Sequence, residues 1–138
     1  MDSGFQLRRK CCIWTKGAGQ SRLADRYLAS SHEQFFYARK GNPILARRGQ
    51  IDVFNYKTVQ SDKRSHLTEK PIELMQDIIS TFVPQGSRML VPFLGSGNSL
   101  LAGANLGMDC FGFEKVESLK NAFIERVING EPPNYVSY

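Results

Sequence analysis

The sequence predicts an α/β chain built on a βαβ unit of a doubly wound sheet, and three observations carry that prediction. An apolar run at residues 89–93 breaks into Gly95-Ser96-Gly97 and resumes as Leu100, Leu101 and Ala104 at the spacing of one helix face. That pattern reads as strand, glycine turn, helix. A second strand, Met108-Asp-Cys-Phe-Gly-Phe113, follows, with Glu114 at its C-terminal tip. Residues Glu117 to Ile128 then form an amphipathic stretch with Leu119, Ala122, Phe123 and Val127 as the inward face.

The elements before this unit fall in order. Cys11-Cys-Ile-Trp-Thr15 is a short buried-strand candidate, and Lys16-Gly-Ala-Gly-Gln-Ser-Arg22 is a polar, glycine-rich loop. Lys16-Gly17 lacks the Gly-x-x-x-x-Gly-Lys-Ser/Thr spacing of a phosphate loop. Ser31 to Arg39 carries aromatic residues with strand propensity, and Lys40-Gly41-Asn42-Pro43 ends it as a turn. His32-Glu33 at its start reads as a polar strand entrance. Ile51-Asp-Val-Phe-Asn-Tyr56 alternates between the basic pairs Arg47-Arg48 and Lys63-Arg64. Two readings stay open there: a surface that meets phosphates and bases, or a solvated loop with one edge strand. Thr68 is a good N-cap and Pro71 suits a first turn, after which Ile72, Met75, Ile78, Ile79 and Phe82 share a helix face. Pro84-Gln85-Gly86 stops that helix.

Composition bounds the function. The 138 residues suit one domain, divided here into a strand pair (4–41), the basic segment (42–65), the βαβ region (66–128) and a tail (129–138). No apolar run approaches the roughly 20 residues that span a bilayer, and the first residues lack a signal-peptide core, so the expected location is cytoplasmic, away from membranes. Cys11, Cys12 and Cys110 read as buried strand thiols, because adjacent cysteines suit neither a zinc site nor a mutual disulfide. A net charge of +5 favours a polyanionic partner.

The glycine turn presents unpaired backbone N–H groups and the positive end of a helix dipole. Glu114, on the next parallel strand, would lie beside it, where a carboxylate accepts hydrogen bonds from ribose hydroxyls. Leu100 stands where a dinucleotide site wants a third small residue, and no nucleoside-triphosphate lysine is present in the turn. These features favour a nucleoside ligand without a phosphate chain, and S-adenosylmethionine fits.

Phe93-Leu-Gly-Ser-Gly97, preceded by Thr68-Glu-Lys-Pro71 and followed by Glu114, resembles the amino-group DNA methyltransferases whose catalytic motif precedes the cofactor motif. Ile13-Trp14-Thr-Lys16, His32-Glu33 and Arg39-Lys40-Gly41 extend the resemblance over residues 4–128. It implies a partial Rossmann-like methyltransferase fold, with the sheet incomplete in a single chain. It also implies that Phe93, Gly95, Ser96, Gly97 and Ser99 cradle S-adenosylmethionine. Lys70, with Thr68 and Pro71, would meet the cofactor's amino-acid end, and Glu114 would hold the ribose. Arg47, Arg48, Lys63 and Arg64 become candidate contacts to double-stranded DNA.

Two departures limit what the resemblance implies. Val91 stands where the family has an aspartate, and Asn98-Ser99 where it has Thr-Thr, so weaker cofactor binding is expected. The family's Asp/Asn/Ser-Pro-Pro-aromatic tetrapeptide is missing, and Glu131-Pro-Pro-Asn134 with Tyr135 reads as an extended tail rather than a substitute. The expectation is therefore a cofactor-binding part without turnover of its own, completed by a missing catalytic half or a homodimer partner. The alternative is a non-catalytic module that binds DNA or a partner.

Overall fold

The computed structural model describes residues 3–17, 19, 21, 23–60 and 69–129. Among the described residues, seven strands and three helices follow one another as β1 (Phe5–Leu7), β2 (Cys12–Thr15), β3 (His32–Phe35), β4 (Ala38–Lys40), β5 (Val53–Asn55), α1 (Ile72–Phe82), β6 (Arg88–Val91), α2 (Asn98–Asn105), β7 (Asp109–Gly112) and α3 (Glu117–Ile128). The strands form three separate ladders: β1 with β4, β3-β2-β5, and β6 with β7. This is the incomplete α/β sheet the sequence predicts, and the β6–β7 pair is parallel as a βαβ unit requires.

The aromatic run at 31–39 is two strands rather than one. β3 pairs antiparallel with β2 while β4 pairs with β1, so the ribbon changes partner at Phe36-Tyr37. On the other side of β2, β5 pairs in parallel as an edge strand, and Phe54 is 2% exposed. The registers set Glu33, Trp14 and Phe54 in one row across this sheet. Period-two alternation then turns all three to the same face as Phe35 and Lys16.

Helix α1 joins the two halves because it has two buried faces. Leu74 packs with Cys12, Trp14 and Phe54, while Ile72 and Ile79 pack with Ala102 and Met108 of the βαβ unit. The periodicity groups Ile72, Met75, Ile78, Ile79 and Phe82 on one face, whereas Ile78 packs with the first cluster and Phe82 against the Tyr37 ring beside it, and it misses the buried Leu74 and Thr81. The helix also starts at Ile72 with Pro71 before it, one turn later than a Thr68 cap implies. Thr68 itself lies outside the described residues.

Helix α2 approaches β6 and β7 closely through Gly103. A Cβ there would lie 2.6 Å from both the Cys110 sulfur and the Met89 methyl, so any larger residue would have to push these side chains aside. Helix α3 has the predicted bounds but not the predicted packing. Leu119 and Phe123 are half-buried, whereas Ala122 and Val127 are exposed, because no described element lies against most of its apolar face. Leu90 and Phe111, cross-strand neighbours on β6 and β7, are likewise mostly exposed. No helix among the described residues is long and apolar enough to cross a membrane.

Candidate functional site

The βα turn after β6 is held by backbone bonds that extend the ladder past the strands. Phe113 N–H donates to the Val91 carbonyl at 2.9 Å, and Leu94 N–H donates to Phe113 at 2.9 Å. This extension carries Glu114 to the turn. Its Oε2 accepts from Gly95 N–H at 2.8 Å, and its Oε1 accepts from Val116 N–H at 2.8 Å. The sequence thus places a carboxylate against the first glycine of the turn through strand pairing alone.

The two glycines meet different surroundings. Gly95 has φ +57°, and a Cβ there would find nothing within 4 Å, so its outer side is open to a ligand. Gly97 has φ +84°, and a Cβ there would fall 2.0 Å from the Phe123 ring of α3. Ser96 and Ser99 are half-buried beside them, while Phe93 is 90% exposed at the rim.

Asn98, the first residue of α2, is a buried hub. Its amide donates at 2.8 Å to Glu69 Oε1 and at 2.8 Å to the Lys70 carbonyl, and its oxygen accepts from Arg126 of α3 at 2.8 Å. This side chain therefore ties the segment before α1, the start of α2 and the last turn of α3 to one point. Pro71, next in that segment, is buried.

Lys70 does not reach the glycine turn by its own side chain. Its Nζ lies 2.5 Å from Glu33 Oε2, and Lys16 Nζ lies 2.6 Å from Glu33 Oε1. Both ammonium groups sit over the buried Trp14 ring, 5.2 Å and 5.1 Å from its centroid, and Trp14 Nε1 donates to the Tyr56 carbonyl at 2.7 Å. Glu33 is therefore more than a polar strand entrance. Alternation along β2 and β3 combined with their register is the signal that could have found this trio, since Trp14 pairs with Glu33 and shares its face with Lys16.

Burial alone would raise the Glu33 carboxyl, but hydrogen bonds and charge from Lys16 and Lys70 together lower it below the ordinary value. A depressed carboxyl stabilises the fold above the unfolded-state pKa and loses that contribution as pH falls through the folded value. Glu33→Gln is accordingly expected to lower Tm at neutral pH, by a modest amount because the side chain is 40% exposed. The deficit should shrink as pH drops below about 4. Thermal melts of both proteins across that range check this, and a deficit independent of pH would contradict it.

Of the predicted basic contacts, Arg47 is tied to Asp77 of α1, which also accepts from the Tyr56 hydroxyl at 3.0 Å. Arg48 is exposed, and Lys63 and Arg64 lie outside the described residues. Sequence reasoning missed a different basic surface. Arg8, Arg9, Arg39 and Lys40 line a groove of about 770 Å³ floored in part by Tyr37 and Phe82. None of these four has an ion pair among the described residues. Cys12 is buried in β2 and Cys110 is half-buried in β7, and desolvation foremost raises both thiols. Cys11 is half-buried just before β2 rather than within it. The described residues hold no cluster of three His, Cys, Asp or Glu suited to a metal.

With this geometry in hand, the comparisons with known proteins agree on one group. A family model described as DNA methylase matches residues 2–125. YubD of Escherichia coli (strain K12) is 33% identical over 101 residues, which cover 73% of this chain and 44% of YubD. The type II methyltransferase M.HindIII of Haemophilus influenzae is 30% identical over 76 residues, 55% of this chain and 25% of that protein. The crystal structure of the M1.HpyAVI–SAM complex superimposes with a TM-score of 0.75 at 24% identity, over 90% of this chain and 63% of that one. The chain thus spans less than two thirds of each of these relatives.

Proposed function

The chain belongs to the DNA methylase family, and from that premise we propose that it forms the S-adenosylmethionine-binding part of a DNA amino-methyltransferase. The acceptor would be the exocyclic amine of adenine or cytosine in double-stranded DNA. The observation that carries this reading is the Glu114 carboxylate against Gly95 N–H, at the tips of two adjacent parallel strands. The residues fit the cofactor. Gly95 leaves an open approach, Glu114 offers oxygens to ribose hydroxyls, and Lys70 lies one hydrogen bond from Asn98 at the helix start. Gly97, Ser96 and Ser99 shape the turn, Pro71 follows Lys70 directly, Thr68 stands two positions before it in the sequence, and Phe93 provides a ring at the rim.

When bound, the cofactor supplies an electrophilic methyl group on a sulfonium. This chain's residues would bind and orient it: Lys70 by pairing with its carboxylate, Glu114 by holding the ribose, and the backbone of residues 95–97 by close approach. Within the chain no Asp/Asn/Ser-Pro-Pro-aromatic tetrapeptide is present to receive the target amine. Glu131-Pro-Pro-Asn134 and Tyr135 lie outside the described residues. The exposed apolar faces of α3 and of Leu90 and Phe111 support completion by a catalytic half or by a second copy of the chain. Arg48, with Lys63 and Arg64, is the proposed backbone contact to DNA, and the tie to Asp77 makes Arg47 the weaker member.

Calorimetric titration with S-adenosylmethionine and with its demethylated product is expected to give saturable heat. No heat with either removes the cofactor from the account. A radiolabelled methyl-transfer assay on duplex DNA is expected to show no turnover by this chain alone, and label entering DNA overturns that part. The second reading, a non-catalytic DNA- or partner-binding module, is favoured by the same missing tetrapeptide and by Val91 at the strand end.

A further inference from the structure

Trp14, Lys16, Glu33 and Lys70 come from three separated parts of the sequence and meet on one face of the β3-β2-β5 sheet. One carboxylate between two ammonium groups leaves a surplus of one positive charge. Each ammonium has three donors, and among the described residues Glu33 is the only hydrogen-bond partner either one has. Donors therefore remain for a second anion. On the Lys70 side, Glu69 and Arg126 are both bound to Asn98 and offset one another. The surplus stays with the lysines, and the Lys70 carbonyl fixes it beside the start of α2 through Asn98.

Resting on the cofactor reading above, we infer that Lys16 and Glu33 complete the subsite for the cofactor's carboxylate. Lys16 is a second cation for that carboxylate. Glu33 is a positioning residue, holding both ammonium groups over Trp14 so that their remaining donors converge. The carboxylate joins Glu33 rather than displacing it, and the group becomes two cations with two anions. A lone half-exposed salt bridge contributes little to stability, whereas a preset pair of cations lowers the ordering cost of binding an anion.

The test uses the full chain and two ligands, S-adenosylhomocysteine, which carries the carboxylate, and 5′-methylthioadenosine, which lacks the amino-acid end. Trp14 is the only tryptophan, so intrinsic fluorescence reports this site directly. S-adenosylhomocysteine is expected to change Trp14 emission on binding and methylthioadenosine to leave it unchanged. Lys16→Met should weaken S-adenosylhomocysteine about tenfold, the size of one charge-assisted bond, and leave methylthioadenosine within about twofold. Glu33→Gln should act in the same selective direction, and Lys16→Arg should restore most of the affinity. If the parent binds both ligands and Lys16→Met binds both equally well, the inference fails while the cofactor reading stands. An equal loss for both ligands marks a purely structural trio and also overturns it. If the parent binds neither ligand, the cofactor reading itself fails and the inference falls with it.

Discussion

Gly95→Ala is expected to fold and lose the cofactor, whereas Gly97→Ala is expected to lose the fold first. Both positions have positive φ, +57° and +84°, so either alanine carries a left-handed strain of about 1–2 kcal/mol. Beyond that the two diverge. The Gly95 methyl would enter open space on the ligand side, adding no clash in the free chain. It would overpack a bound ligand by about 1–3 kcal/mol, weakening affinity roughly tenfold to a hundredfold. The Gly97 methyl would fall 2.0 Å from the Phe123 ring, which must turn aside and give up its place against the turn or carry α3 away with it. Strain and overpacking together come to about 2–5 kcal/mol, a drop in Tm of roughly 10 °C or more. Thermal melts with calorimetry on both variants decide the matter. Gly97→Ala melting with the parent would show that α3 does not rest on the turn. Gly95→Ala binding like the parent would place the ligand elsewhere.

How much of this was legible follows from which partners each signal needs. The strand, glycine turn and helix at 88–105 are local, so periodicity and two glycines suffice. Glu114 beside Gly95 follows from parallel pairing, which a βαβ pattern dictates. The bounds of α3 were legible, but its inward face was not, because burial requires a covering element that the described residues lack. Leu74 was missed for the opposite reason: α1 has two cores to fill, and a one-face reading assigns it to neither. Lys70 was expected to aim at the cofactor, and its pairing with Glu33 could be found only by combining strand alternation with the register of β2 and β3. The sequence marked Asn98 as a mere departure from the resembled pattern, since hydrogen-bond partners from two distant segments leave no trace in spacing.

Asn98→Ala is therefore expected to be among the most destabilising polar-to-alanine changes in the chain. The side chain is 4% exposed and makes three hydrogen bonds, two of them to charged partners, Glu69 and Arg126. Bonds to charged groups contribute about 1.5–3 kcal/mol each, and buried groups stripped of a partner add a desolvation cost. A loss of about 3–5 kcal/mol follows. Asn98→Thr, the residue the resemblance leads one to expect here, keeps a hydroxyl that serves one of the partners and should cost less. Asn98→Asp keeps the size but faces Glu69 with a second carboxylate, so its deficit should ease as pH falls. The decisive measurement is a double-mutant cycle with Arg126→Ala. If the network is one unit, Arg126→Ala costs far less in the Asn98→Ala background than in the parent, because its partner has already gone. Additive losses would mean that Arg126 is held by other contacts and that α3 is tied to the turn through Phe123 alone. Coupling would instead show that Asn98 fastens three segments around the glycine turn, supplying rigidity to the proposed cofactor site.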